Sequence, residues 1–234
     1  MMERLASTAM LDLKLQVRYG FVYAAAFTVI VLMILLSQTS VRGPASLMPV
    51  FIVGNLFIST FYFIGGMVLF EKGEGVLSGL IVTPLSVSEY LASKVATLTA
   101  LALLENMIIV GFAYGFGYGV LPMLAGTVIT AVMLTLFGFV AVARYRSISE
   151  YLMPSVCYTL LLMLPLLDYL GVFKSQIFYL IPTQAPLVLM KSAFVTVGLA
   201  DTVYGMAYSL LWAGILFLLA KRSFYRYIIS KGGD

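Results

Sequence analysis

Histidine is absent from this chain of 234 residues, and cysteine occurs once, at Cys157. The first absence removes Ser-His catalytic triads, histidine-containing zinc sites and histidine proton relays together. The second excludes an intramolecular disulfide, and Cys157 falls in an apolar run, where it reads as a small apolar residue. Charge is also scarce: 10% of residues are charged against 62% hydrophobic, and mean hydropathy is +1.06. That balance is too apolar for a soluble globular domain. No Gly-x4-Gly-Lys-Ser/Thr loop occurs, so ATP is not bound in that way. No internal repeat or low-complexity tract is evident.

What is present is a series of apolar runs, each near the ~20 residues a helix needs to cross a bilayer. They read as 19–36, 49–70, 95–117, 120–143, 151–167 and 203–220. Backbone groups in lipid must bond within their own segment, and the runs are too long and unalternating for barrel strands, so the expected fold is all-α with six spans. Met1–Arg18 carries Glu3, Asp12 and Gln16 without a small-residue cleavage pattern, which predicts insertion through the chain's own helices rather than a leader. With both termini inside, only Arg42, Lys174 and Lys191 of the 14 Lys and Arg lie outside. This obeys the positive-inside rule. The net charge of +4 then matches anionic headgroups of the cell membrane and calls for no nucleic acid. Gln176–Ala200 is apolar enough for a seventh span, but Pro182, Pro186 and Lys191 interrupt it. It is expected to be a re-entrant or interfacial pair of short helices on the outer face, broken at Pro182.

Between the second and third spans lies a charged, turn-rich island, Phe70 to Lys94. Val76, Leu77, Leu80 and Ile81 share one helical face within Glu71–Ile81, while Gly73, Gly75 and Gly79 weaken that helix unless it packs against something. Thr83-Pro84 breaks the chain, and Ser86-x-x-Glu89 is a capping-box pattern that opens the next helix. The plain reading is a well-capped turn; two helical pieces in a loop of about two dozen residues suggest a docking surface instead.

Glu71-x-x-Glu74-Gly75-x-Leu77-x-x-Leu80-x-Val82-Thr83-Pro84-Leu85-Ser86-x-x-Glu89-Tyr90-Leu91-x-x-Lys94 resembles the signature that links the second and third spans in ABC-2 type membrane subunits of ABC transporters. The resemblance takes in nearly the whole chain as a single transmembrane domain, 1–234, with an amphipathic segment at Leu11–Gly20, six spans and a broken outer segment. Leu13–Tyr19, Phe70–Glu74 and Ile181-Pro182-Thr183-Gln184 further resemble the fluoroquinolone-type drug export permeases. One departure is Val76-Leu77-Ser78, where relatives have Thr-Leu-Glu; a salt bridge from that carboxylate is lost. The resemblance implies a permease subunit that is not itself an enzyme and binds no cofactor, with ATP and Mg on separate ATPase subunits and a second permease copy or paralogue beside it. Glu71–Ile81 would be the coupling helix seated in a groove of the ATPase. Glu71, Lys72 and Glu74 would orient it at the rim, Gly75, Leu77, Leu80, Thr83 and Pro84 would shape and anchor it, and Arg144–Glu150 would be a smaller contact. Met1–Arg18 would lie along the inner leaflet, apolar on one side and basic on the other.

In the resembled family the second and fifth spans line the substrate path. Asn55, Ser59 and Tyr62 fall on one face of the second span, and Tyr151, Ser155 and Tyr158 on one face of the fifth. Such stripes either line a path or make helix–helix contacts. Glu105, beside Asn106, is the carboxylate deepest within a span, a costly position that marks a functional residue by default. It supports an alternative function, a proton-coupled transporter or channel, although one acid without a second buried acid or a basic partner makes a poor relay. The other reading is a protonated or hydrogen-bonded structural Glu. Asp168 falls near the outer end of the fifth span, at water or headgroups. A membrane-embedded enzyme is disfavoured by the missing histidine and the lack of paired intramembrane acids.

Overall fold

The computed structural model describes residues 2–38, 47–81, 85–115 and 117–229. Every regular element among the described residues is a helix. Six helical segments are long and apolar enough to cross a membrane: Phe21–Gln38, Met48–Gly73, Val87–Tyr114, Val120–Val142, Ile148–Tyr169 and Leu199–Ile228. The second is 78% buried and the fourth 67%, against 11% for the first, so the bundle is built around spans two and four.

The chain opens with α1 (Met2–Arg18), which precedes the first span, α2 (Phe21–Gln38). Span two is composite: α3 (Met48–Leu56), a π-helical turn (Phe57–Tyr62) and α4 (Phe63–Gly73). A short α5 (Val76–Ile81) follows. Span three is α6 (Val87–Tyr114) and span four α7 (Val120–Val142). Span five joins α8 (Ile148–Met163) to α9 (Pro165–Tyr169); after it come a 3-10 turn (Gln176–Leu180), α10 (Gln184–Lys191) and the last span, α11 (Leu199–Phe224). A π-helical turn, Tyr225–Ile229, ends the described chain.

Several helices start where local chemistry, not hydropathy, dictates. Span three begins at Val87 rather than 95, because Ser86 and Glu89 close a capping box. The Glu89 N–H donates to Ser86 Oγ (3.2 Å) and the Ser86 N–H to Glu89 Oε2 (2.9 Å). Span five begins at Ile148 rather than 151 for a similar reason, with Ser147 Oγ accepting from the Glu150 N–H (3.3 Å).

Lipid tails are as apolar as leucine, so helices in a bilayer associate through close packing at small residues. Gly138 of α7 sits so close to span two that a Cβ there would lie 2.6 Å from Ile64 Cγ2 and 2.8 Å from the Phe61 carbonyl oxygen. Gly126 and Gly205 admit α10 in the same way, between α7 and α11: their Cβ atoms would fall 2.7 Å from side-chain carbons of Met190 and Leu189. As a result Gln184–Met190 are all buried. Thr183 donates to the Leu162 carbonyl (2.5 Å) and Gln184 to Asp168 Oδ2 (3.0 Å), so the Ile181-Pro182-Thr183-Gln184 corner is fastened to the end of span five. Asp168 therefore has a partner within the chain as well as any contact with water.

Candidate functional site

At one end of the bundle, span two does not stop at Phe70. It continues through Gly73, turns at Gly75, whose φ of +71° lies in the left-handed region glycine tolerates, and restarts as α5. The helix expected over Glu71–Ile81 is thus two pieces, and Glu71 and Lys72 belong to span two. Lys72 Nζ donates to the carbonyls of Ala143 (2.6 Å) and Tyr145 (2.8 Å), capping the end of α7 and tying this loop to the one at 144–150. Glu74 Oε2 accepts from the Tyr19 hydroxyl at 2.7 Å, and Arg18 lies 3.8 Å from its other oxygen. Burial and that hydrogen bond push the Tyr19 hydroxyl from 10.0 up to about 12, so it remains a donor at physiological pH.

Leu77 is buried in the core cluster with Phe224 and Ile228, and α5 packs against the C-terminal π-helical turn. Packing therefore supplies the support that the glycine-rich sequence withholds, but Leu77 is spent on this chain's own core. Gly73 and Gly79 are exposed, with nothing within 4 Å of where a Cβ would stand. Thr83, Pro84 and the side chain of Leu80 lie outside the described residues.

Glu71 is not at a rim. It is 2% exposed and takes part in a buried charge cluster that joins three helices. Lys94 of α6 bonds both Glu71 of α4 and Asp12 of α1, the latter at 2.6 Å. Tyr90 donates to the other Glu71 oxygen (2.6 Å), and Ser93 donates to Asp12. One turn further on, Gln16 Nε2 donates to Thr97 Oγ1 at 3.0 Å. At the start of α1, Arg4 and Glu89 lie 3.8 Å apart. Asp12 and Gln16 of α1 therefore turn inward, while Met10, Leu11, Leu13 and Val17 are exposed together with Lys14 and Arg18. An outward apolar face on a helix held by buried charges suits a surface-lying membrane helix. The departure from the expected two-sided pattern is physical: the acidic and amide residues pay for burial by pairing with α6.

The polar stripe of span two splits. The π-helical turn inserts one residue into the repeat, which rotates everything beyond it by about 100° relative to a continuous α-helix. Asn55, ahead of the turn, and Ser59, within it, are buried: Asn55 Nδ2 donates to Glu105 Oε2 of span three at 2.8 Å, and Ser59 donates to the Asn55 carbonyl at 3.0 Å. At the end of the turn, Tyr62 meets span five, accepting from the Thr159 hydroxyl at 3.0 Å. On span five, Tyr151 is 3% exposed and packs against Gly65, where a Cβ would stand 2.7 Å from its ring. Ser155 is also buried, donating to the Leu152 carbonyl (2.6 Å) beside Pro154, which lies inside the helix. Tyr158, like Tyr62, remains partly open; its hydroxyl takes a bond from Arg144 and lies 3.3 Å from that of Tyr145. The candidates thus bring spans two and five together at Tyr62–Thr159 and Gly65–Tyr151, and they form no continuous polar lining. Cys157 is exposed on α8 rather than enclosed.

Glu105 is held in a small amide cluster. Asn106 donates to the Ala102 carbonyl (2.7 Å), and Glu105 Oε1 and Asn55 Oδ1 are buried without a hydrogen-bond partner. Sequence reasoning missed Asp12, Tyr90, Ser93 and Thr159 as members of these clusters. For Asp12 a signal existed: an acid on the face of α1 opposite Met10 and Leu13 needs a cation, and Lys94 closes the loop signature.

Comparison with known proteins agrees with this architecture. Residues 3–232 match the fluoroquinolones export permease protein family. Two fluoroquinolones export permease proteins of Mycobacterium tuberculosis, from strains CDC 1551 / Oshkosh and ATCC 25618 / H37Rv, are each 34% identical to the chain over 235 aligned residues, covering 99% of both sequences. With six apolar helices and full-length similarity, the chain belongs to the fluoroquinolones export permease protein family, among the ABC-2-type drug export permeases.

Proposed function

We propose that the chain is the membrane-spanning subunit of an ATP-driven exporter, working beside a second permease copy or paralogue and coupled to separate ATPase subunits that hold ATP and Mg. Its substrate class is that named for its relatives, fluoroquinolones or similar amphipathic drugs. The observation that carries this reading is the construction at the end of span two. Lys72, Glu71 and Glu74 brace the loop on α7, α6 and Tyr19, Leu77 roots α5 in the core, and Gly73 and Gly79 leave an exposed surface with no side chains of their own. A helix rooted in the core at Leu77 and exposed at Gly79 suits insertion into a groove on a partner. Buried Glu71 and half-buried Lys72 act as its mounting, which transmits motion of α5 to α4, α6 and α1.

The test uses an exposed position. In Gly79→Arg the new side chain enters open space and removes no contact within this chain, so insertion and folding are retained while the docking face is blocked. Co-purification with the partner ATPase is then lost. Retention of the complex in Gly79→Arg, with wild-type stability, contradicts the assignment. Leu77→Asp is unsuitable, because Leu77 is 4% exposed and its loss damages the core.

A further inference from the structure

Just past the end of α7, Arg144 is exposed and its charge is unspent. Its guanidinium bonds the Tyr158 hydroxyl and stands over two tyrosine rings, 5.3 Å from the centre of Tyr145 and 5.5 Å from that of Tyr158. No carboxylate pairs with it among the described residues. Glu150, the acid of this loop, accepts from the Arg146 N–H at 3.1 Å.

The side chain runs inward. Tyr158 lies ten residues beyond the start of α8, about 15 Å along the axis at 1.5 Å per residue. Arg144 precedes that start, so even with Tyr158 leaning back toward it, the guanidinium is drawn along span five. Long basic side chains at helix ends ordinarily turn outward to water. A cation drawn the other way without an acid is costly and marks a functional group. The surface of the loop, where a partner protein would touch, is left to exposed Arg146–Glu150. Beside the guanidinium, Tyr145 and Tyr158 are half-buried, and Thr159 next to them reaches Tyr62 of span two. Lys72 holds the Ala143 and Tyr145 carbonyls, so this cluster stands at the end of the bundle that bears α5.

We propose that Arg144 receives the carboxylate of the exported substrate, which makes the permease selective for planar aromatic acids. The inference rests on the export function proposed above and names the chemistry recognised where the substrate enters. A guanidinium has five N–H donors. With Tyr158 bonded, an edge stays free for two parallel bonds to a carboxylate. The half-open tyrosines beside it offer faces and edges to an aromatic ring. Fluoroquinolones, the substrate class proposed above, join such a ring to a carboxylate. A lipid phosphate supplies an oxyanion too, but no ring, and the experiment separates the two sources.

The chain in phosphatidylcholine nanodiscs is dialysed to equilibrium against ofloxacin or its uncharged-acid analogue, the methyl ester. Wild type binds the acid about tenfold more tightly than the ester, the worth of hydrogen bonds to a charged group. Arg144→Gln brings that ratio to about one. Arg144→Lys restores part of it, keeping the charge without the planar fork. 1-Naphthoate displaces ofloxacin at about threefold lower concentration than decahydronaphthalene-1-carboxylate, its saturated counterpart, and glycerol 3-phosphate displaces it weakly. Equal binding of acid and ester by wild type, or an unchanged ratio in Arg144→Gln, overturns the proposal and leaves the export reading standing. Equal displacement by the saturated acid overturns it as well, and displacement by glycerol 3-phosphate as strong as by 1-naphthoate assigns Arg144 to a headgroup instead. Binding of neither acid nor ester by wild type overturns the drug-permease reading together with it.

Discussion

Replacing Lys94 with methionine isolates the asymmetry of the buried charge cluster. Lys94 is the single cation between Asp12 and Glu71, and all three are 2% exposed or less. Lys94→Met leaves two buried carboxylates with one neutral donor each, from Ser93 and Tyr90. Breaking a buried pair by removing one partner costs about 3–5 kcal/mol. For a chain of this length that lowers the melting temperature by roughly 6–20 °C. Glu71→Gln acts differently: Lys94 and Asp12 remain as a neutral pair, and the amide oxygen introduced in place of the carboxylate still accepts from Tyr90, so the cost is about 1 kcal/mol. Neutralising all three, as Asp12→Asn, Glu71→Gln and Lys94→Met together, restores stability to within about 1–2 kcal/mol of wild type, since no unpaired charge is left buried. Melting in detergent is followed through Trp212, the chain's only tryptophan. Equal losses in Lys94→Met and Glu71→Gln, or a triple variant no better than Lys94→Met, refute the reasoning.

Three other outcomes follow from the same geometry. Gly138→Ala places a Cβ against Ile64 and the Phe61 carbonyl, forcing α7 away from span two at a cost of about 1–3 kcal/mol in the same melting assay. Gly79→Ala, in open space on α5, stabilises by about 0.5–1 kcal/mol through helix propensity. Glu105→Gln supplies a donor to a cluster in which Glu105 Oε1 and Asn55 Oδ1 lack one, so stability and drug efflux are retained; loss of efflux in this variant favours the proton-coupled alternative.

Much of the fold was legible because hydropathy and capping act locally. Six apolar runs and the Ser86–Glu89 box follow from neighbours within a few residues, and the structure carries both. The capping box also marks the start of span three, ahead of its apolar run, whereas the start of span five was not legible, since hydropathy blurs the polar first turn that Ser147 caps. The π-helical turn at Phe57–Tyr62 has no simple sequence pattern, and across it Asn55 meets span three while Tyr62 meets span five. The charge cluster was hidden for another reason. Asp12 and Lys94 are distant in sequence, and Glu71 and Lys94, read as loop charges on a cytoplasmic face, gave no sign of being enclosed. Likewise, Leu77 was recognisable as an anchor, but only packing reveals that it anchors α5 to its own chain.

The claim that this permease is driven by a partner's ATP hydrolysis is tested most directly by fluoroquinolone transport in proteoliposomes. The chain and its ATPase subunit are reconstituted together, and drug movement is followed after adding ATP and Mg. The account predicts transport that depends on both subunits and disappears when the Walker lysine of the ATPase is replaced. Transport by this chain alone, driven by a proton gradient and indifferent to ATP, would contradict it.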